Sequence, residues 1–372
     1  MRPHRIVALA SWAALVLPAA GCTPRPASCK KDSECPGEER CIEQVCDGHF
    51  TVAMTVPGKK APIPPEWLNA GKEAFVLYCR PCHGGKGRGD GPASTALRPP
   101  PRDLAIATYK FAGVVDGLPH DDDFARILTG GLAGTAMLPW DLPKDDLYAV
   151  TQYLKTFSPP GEGWRDKEAQ LGTRVVPPAD PWKDAKQAIE RGKLIYHTVA
   201  TCNSCHPAYA TRNEIYQMSA TAKAEGLRKD EITSFRSQMY LPEAKESAAY
   251  ETRGVKMRIL PPDFLRNPVR SLSERRPHAR SQDLYRIIGA GIPGTAMPAW
   301  RGAMPDKDIW AMAHFVRSLT DAKDTPAAAE LQARLAADTG EFVARPAEPA
   351  KAPSAPANPA PAAPPAEGAK GH

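Results

Sequence analysis

The alternation of apolar and polar positions divides the chain into a leader, two similar helical halves and a tail. Ile6 to Leu17 form one apolar run behind the basic Met1–Arg5 segment, too short to span a bilayer with comfort. Helical periodicity appears at 66–78, where Trp67, Gly71, Ala74, Phe75 and Tyr78 share a face, and at 185–197 around Gly192. Closing helices are predicted at 144–157, with a stripe of Leu147, Val150, Leu154 and Phe157, and at 306–319, with Ile309, Met312, Val316 and Leu319. Asp145, Asp146, Asp306 and Asp308 fall in their first turns, where acids complement the helix dipole. No strand pattern stands out, so the expected fold class is all-α. Gly71 and Gly192 are expected to let the first and last helices of each half cross closely.

The two halves are copies of one plan. Ala133–Trp140 matches Pro293–Trp300 at an offset of 160, sharing Gly-Thr-Ala-Met and a Trp three residues later. The same offset relates Arg126 to Arg286, Pro101 to Pro261 and Asp103 to Asp263. Cys79-Arg80-Pro81-Cys82-His83 and Cys202-Asn203-Ser204-Cys205-His206 are offset by only 123, so the second half holds about 37 additional residues. They are placed in an insertion at about 208–258, expected to be charged and partly helical. The predicted organisation is a leader at 1–21, a Cys-rich segment and linker at 22–61, and a first domain at 62–158. A Pro-rich linker at 159–184, a second domain at 185–322 and a disordered Ala/Pro-rich tail at 323–372 complete it.

Composition narrows the class. Apolar residues make up 42% of the chain, enough for packed cores, and many of the 40 prolines sit in the linkers and tail. The formal charge of +6 falls by two when a leader carrying Arg2 and Arg5 is removed. No basic stripe with interleaved aromatics is present, so a nucleic-acid partner is not expected. The leader ends in Pro18-Ala19-Ala20-Gly21-Cys22. Small residues before a Cys resemble the lipobox of bacterial lipoproteins, although Ala19 replaces the commoner Leu. The resemblance implies export, acylation of Cys22 and residence in the bacterial cell envelope, lipid-anchored, with the folded domains in the periplasm or at the cell surface. An ordinary secretory signal cut near Ala20 is the alternative.

The remaining cysteines fall into two groups. Cys29, Cys35, Cys41 and Cys46 sit in a segment too short to bury a core, and an oxidising compartment allows two disulfides with three possible pairings. A four-thiolate metal site is the alternative, though pairs two to four residues apart are missing. The C-x-x-C-H motifs have a more specific chemistry. Two intervening residues let two thiols reach the two vinyl groups on one porphyrin edge, while the following His turns under the iron. Cys79, Cys82, Cys202 and Cys205 are therefore candidate haem-attachment residues, with His83 and His206 as proximal iron ligands.

With the C-x-x-C-H after a first helix, the Gly-Thr-Ala-Met-x-x-Trp loop and a final helix, both halves resemble small class I cytochrome c domains. The resemblance covers about 66–157 and 185–320. It implies two covalently bound haem c groups, with Met137 and Met297 as sixth iron ligands in preference to His120, His197 or His278. A thioether ligand raises the reduction potential relative to a second His. Full axial coordination blocks substrate from the iron, which suits an electron carrier more than an enzyme. Pro101 and Pro261 would brace the proximal histidine loops. Arg126 and Arg286 would pair with propionates or line a polar helix face, and Trp140 and Trp300 would pack near the haem edge. The implied partners are redox proteins of the cell envelope: a quinol-oxidising complex, a terminal oxidase or a reductase. The membrane would be reached through the N-terminal lipid. The rival reading is a di-haem redox enzyme of the peroxidase or thiosulfate dehydrogenase kind; two matching Met loops and the lack of a spare Cys weigh against it.

Overall fold

The computed structural model describes residues 29–344, apart from 31–33, 36–39, 43, 44, 47, 253, 254 and 273–279. The leader, Cys22, His278 and the tail beyond residue 344 lie outside the described residues. In chain order the elements are β1 (Cys41–Ile42), β2 (Val45–Cys46), α1 (Pro65–Tyr78), α2 (Arg80–His83), β3 (Val114–Val115), α3 (Asp121–Gly130) and α4 (Lys144–Lys155). They continue with β4 (Thr173–Arg174), α5 (Ala185–Leu194), α6 (Arg212–Ala224), β5 (Lys245–Thr252), β6 (Val255–Ile259), α7 (Arg280–Ala290), α8 (Asp306–Asp321) and α9 (Pro326–Ala336). The described residues fall into two units. The first holds residues up to 179, 245–259 and 268–309; the second holds 180–244, 260–267 and 310 onward. Parts of the predicted second domain thus belong to the first unit, where the side chains of Arg286 and Pro268 lie against Gly113 and Gly134.

In the first unit, Pro65 opens α1 with its fixed φ, and Leu68, Gly71, Ala74 and Phe75 form its buried face. That face packs on α4. A Cβ added at Gly71 would lie 2.1 Å from the Ala149 carbonyl oxygen, so the two backbones touch. The second unit repeats the contact: a Cβ at Gly192 would lie 2.0 Å from the carbonyl oxygen of Ala311 on α8. Gly71→Ala and Gly192→Ala are each expected to cost ~1–3 kcal/mol through forced helix separation. Thermal unfolding checks this, and an unchanged melting temperature in either variant would contradict the close crossing.

The cysteine-rich segment closes as Cys29–Cys41 and Cys35–Cys46, which uses all four thiols and leaves none for a metal. Arg40 pins this knot to α4. Its guanidinium donates to Tyr153 Oη at 3.1 Å and to Thr156 Oγ1 at 2.9 Å, and lies 4.0 Å from the Phe157 ring centre.

The predicted linker at 159–184 needs correction. Trp164 is 1% exposed and joins the core of Phe75, Tyr153 and Phe157, while β4 pairs antiparallel with β3. Prolines flank this stretch, but Trp164, Leu171 and Val175 between them supply the apolar anchors that tie it down. Beneath Trp164, the buried Lys155 ammonium lies 2.5 Å from the Asp121 carboxylate, which also accepts from Lys59 at 2.8 Å and Gln152 at 3.0 Å. Burial would raise the Asp121 pKa, but Lys155, Lys59 and Gln152 outweigh it and hold the carboxyl at about 2. Between the ordinary carboxylate value and 2, the unfolded chain binds a proton that the folded chain does not. This stability is therefore complete above the ordinary value and lost as pH falls through that window. Asp121→Asn is expected to flatten the acid limb, as read from melting temperatures between pH 2 and 5.

The all-α expectation fails at 245–259, where β5 and β6 pair antiparallel. The signal was present in Val255, Met257 and Ile259 alternating with Lys256 and Arg258 after Arg253-Gly254, but the charged composition hid it. The other described strands are two-residue pairs.

In the second unit, Asp184 caps α5 by accepting from the backbone N–H groups of Lys186 and Gln187. The helix then widens into a π-turn at Ile195–Val199, and Thr201 is left-handed with φ 46°. Gly71 precedes Cys79 by eight residues and Gly192 precedes Cys202 by ten; the wide turn and the left-handed residue absorb the difference. The predicted disordered stretch at 323–372 begins instead with a helix. Thr325 caps α9, Pro326 opens it, and its Arg334 reaches Glu214 on α6 at 2.8 Å. The Ala-rich composition that resembled a flexible tail is also a strong helix former once capped and paired.

Candidate functional site

The first C-x-x-C-H motif sits where α1 ends. The Cys79 N–H still donates to Phe75 O at 2.8 Å, and α2 carries the rest of the motif. This presents Cys79, Cys82 and His83 to a cleft of about 240 Å³ within the first unit. Apolar side chains including Phe75, Leu104, Phe124 and Leu128 line the same cleft, as do Met137 and Trp140. Lys110, Met257, Ile259 and Arg270 are among the lining residues that sequence reasoning missed. No motif marks them, because the last three are brought to the cleft by chain more than 150 residues after the first motif.

The two motif histidines are held alike. His83 Nδ1 lies 3.0 Å from Arg102 O, and His206 Nδ1 lies 3.1 Å from Pro262 O. A carbonyl only accepts, so Nδ1 carries the proton and Nε2 of the neutral ring keeps its lone pair for a metal. Burial lowers both histidine pKa values and favours this neutral form. The two acceptors are themselves related by the offset of 160, each one residue after Pro101 or Pro261. The expected bracing thus works through the next carbonyl. In the second unit the Phe264 ring also stacks on His206, with centres 4.9 Å apart.

Cys79, Cys82, Cys202 and Cys205 form no disulfide, and burial raises the Cys79 and Cys202 thiols to about 12. The methionine loops also match. After α3, Gly131 is left-handed, Thr135 Oγ1 donates to Leu132 O at 2.8 Å, and Met137 N–H donates back to that hydroxyl at 3.1 Å. After α7, Gly291 is left-handed, Thr295 Oγ1 donates to Ile292 O at 2.8 Å, and Met297 N–H donates to Thr295 Oγ1 at 3.2 Å. The Thr hydroxyl therefore fixes the residue that follows the Ala. The structure brings Met137 and His83 to one cleft; Met297 belongs to the first unit and Cys202, Cys205 and His206 to the second.

Of the competing histidines, the two that are described, His120 and His197, bond elsewhere. His197 donates from Nδ1 to Lys193 O at 2.7 Å and accepts the Tyr209 N–H at Nε2 at 3.0 Å. It is fully buried, which lowers its pKa to about 4. His120 precedes α3 and places Nε2 2.9 Å from Gly172 O. Arg126 and Arg286 pair with Asp123 and Asp283, one turn earlier on their own helices, at 2.5 and 2.7 Å. Trp140 packs on Tyr78, with ring centres 5.3 Å apart.

Three cations, Arg102, Lys110 and Arg270, line the cleft beside one carboxylate, Asp103. Burial first, then Arg102 and Arg270, lowers the Lys110 pKa to about 8, because three cations crowd one apolar wall. Such a wall accommodates an apolar ring system that carries carboxylates.

Residues 261–316 match the family model of cytochrome c oxidase, cbb3-type, subunit III. This segment includes the Pro262 carbonyl, α7, the Met297 loop and the start of α8. A chain of the reducing HAO-like protein complex of Kuenenia stuttgartiensis is similar over 72% of this chain and 99% of its own, with 24% identity and a TM-score of 0.49. No curated protein matches the sequence. The matched segment holds the Met297 loop but neither C-x-x-C-H motif, and it supports a cytochrome c with a haem redox role.

Proposed function

We propose that the chain is an electron carrier with two haem c groups, one for each repeat. Cys79, Cys82 and His83 would hold the first, with Met137 as sixth ligand; Cys202, Cys205 and His206 would hold the second, with Met297. One observation carries the reading: in both repeats a C-x-x-C-H histidine points its protonated nitrogen at a carbonyl 160 residues apart in register, leaving the other nitrogen for iron.

Haem c supplies one-electron iron chemistry. The chain's own residues do the rest. Thiols attach the ring, backbone carbonyls fix the histidine tautomers, and threonines fix the methionine loops. Lys110 and Arg270 offer charge to propionates, and the apolar walls exclude water from the first cleft. A sixth ligand at Met137 would close the iron to substrate, which favours a carrier over an enzyme.

Acylation of Cys22 would tether the carrier in the bacterial cell envelope. Its partners would be redox proteins there: a quinol-oxidising complex, a reductase or a terminal oxidase. The matched family's name agrees with the last of these. Tethering raises the effective concentration at a membrane-bound partner.

Haem stoichiometry tests the reading. Pyridine haemochrome spectra and peptide mass mapping of chain matured in a cytochrome c-competent host should give two haems per chain, on the 79/82 and 202/205 pairs. Haem on one pair alone would contradict it.

A further inference from the structure

The second repeat lacks a feature that the first uses to hold its motif. In the first repeat a glycine-rich loop, Gly84 to Gly91, folds back on the motif it follows. Gly89 N–H donates to His83 O at 2.9 Å, and Gly91 N–H donates to Cys82 O at 3.2 Å. Glycine is required at both points. Gly89 has φ +72°, and a Cβ at Gly91 would lie 2.4 Å from Pro81 O. The second motif is followed by Pro207-Ala208-Tyr209-Ala210 and then α6, so no such loop can form.

The equivalent carbonyls are nevertheless satisfied. Glu243 N–H donates to Cys205 O at 2.8 Å, taking the place of Gly91. Arg236 Nη2 donates to His206 O at 2.8 Å, taking the place of Gly89. The same guanidinium donates from Nε to Asn203 O at 2.9 Å, and from Nη1 and Nη2 to Gln238 O at 2.7 Å and Leu241 O at 2.6 Å. One planar fork thus joins two carbonyls of the motif to carbonyls of the insertion. Ala208 N–H donates to Met239 O at 2.7 Å, closing the seam from the other side. The segment is rooted: Met239 is buried with Ala208, Ala210 and Ile215, and Ile232 N–H donates to Ser219 Oγ on α6.

We infer that the part of the insertion at 208–244 is a clamp on the second haem-attachment motif, with Arg236 as its positioning residue in place of a glycine loop. This inference rests on the reading that Cys202, Cys205 and His206 carry a haem. Arg236 fixes the carbonyl of His206 and so the backbone from which the proximal ring projects, and it sets a permanent positive charge beside the motif. Such a charge favours the reduced over the oxidised iron by electrostatics.

Haem stoichiometry of the unaltered chain first decides the underlying reading. Arg236→Gln and Arg236→Lys are then compared by haemochrome, peptide mapping and potentiometry. The Gln variant should keep full haem at Cys79/Cys82. At Cys202/Cys205 it should lose haem several-fold, or keep it with a reduction equilibrium weakened by about tenfold (~59 mV for one electron). The Lys variant, which keeps the charge and loses the fork, should fall between. Full occupancy and an unchanged second potential in the Gln variant would overturn the inference. Hydrogen exchange on the unaltered protein gives a readout independent of variant folding: the amides of Ala208 and Glu243 should exchange as slowly as those of α6, and exchange at loop rates would overturn the clamp.

Discussion

Met137→His is expected to lower the potential of the first haem by ~0.1–0.3 V, a part of the roughly 0.8 V range over which axial ligands set haem potentials. Thr135 receives the Met137 N–H and donates to Leu132 O, and the left-handed Gly131 turns the chain so that residue 137 lines the His83 cleft. Imidazole donates more strongly to ferric iron than a thioether does, so the oxidised state gains. The loop's own bonds are to backbone and to Thr135, so the substitution should leave the fold intact. Redox titration followed at the first haem's absorbance checks this. A change below ~0.03 V would remove Met137 from the ligand set.

Removing both thiols of the second motif, Cys202→Ala with Cys205→Ala, is expected to halve the haem per chain. The potential and spectrum of the first haem should stay as they were. The second unit should remain folded, because its helical core does not depend on the motif cysteines. Tyr196 packs against His197, Tyr209 and Phe315 with ring centres 4.8 to 5.9 Å apart, and His197 links the π-turn to the Tyr209 backbone. Haemochrome quantitation against protein concentration measures the ratio. Loss of both haems would mean that the repeats do not mature separately.

Much of the architecture was legible because it is local. Helix bounds followed from apolar stripes and first-turn acids. The roles of Gly71 and Gly192 followed from their shared place before the two motifs, and the matching Thr-fixed loops from an uninterrupted repeat. What the sequence concealed is non-local or compositional. Trp164 lies between proline clusters that read as linker, yet 1% exposure places it in the core. Residues 245–259 read as charged insertion, yet their alternation pairs as strands and brings Met257 and Ile259 to the first cleft. Residues 326–336 read as tail, yet a Thr cap and an Arg–Glu pair hold them helical. Arg236 and Arg270 are ordinary surface-type residues by pattern; only tertiary placement gives one a seam of carbonyls and the other a place on the cleft wall.

The most direct test of the carrier reading is a potentiometric titration of the unaltered chain, followed by optical and EPR spectra, with carbon monoxide and peroxide added at the end. Two low-spin, Met-ligated haems of relatively high potential, inert to both added ligands, are the predicted result. A high-spin or low-potential haem that binds carbon monoxide or reacts with peroxide would contradict it and make the chain a haem enzyme.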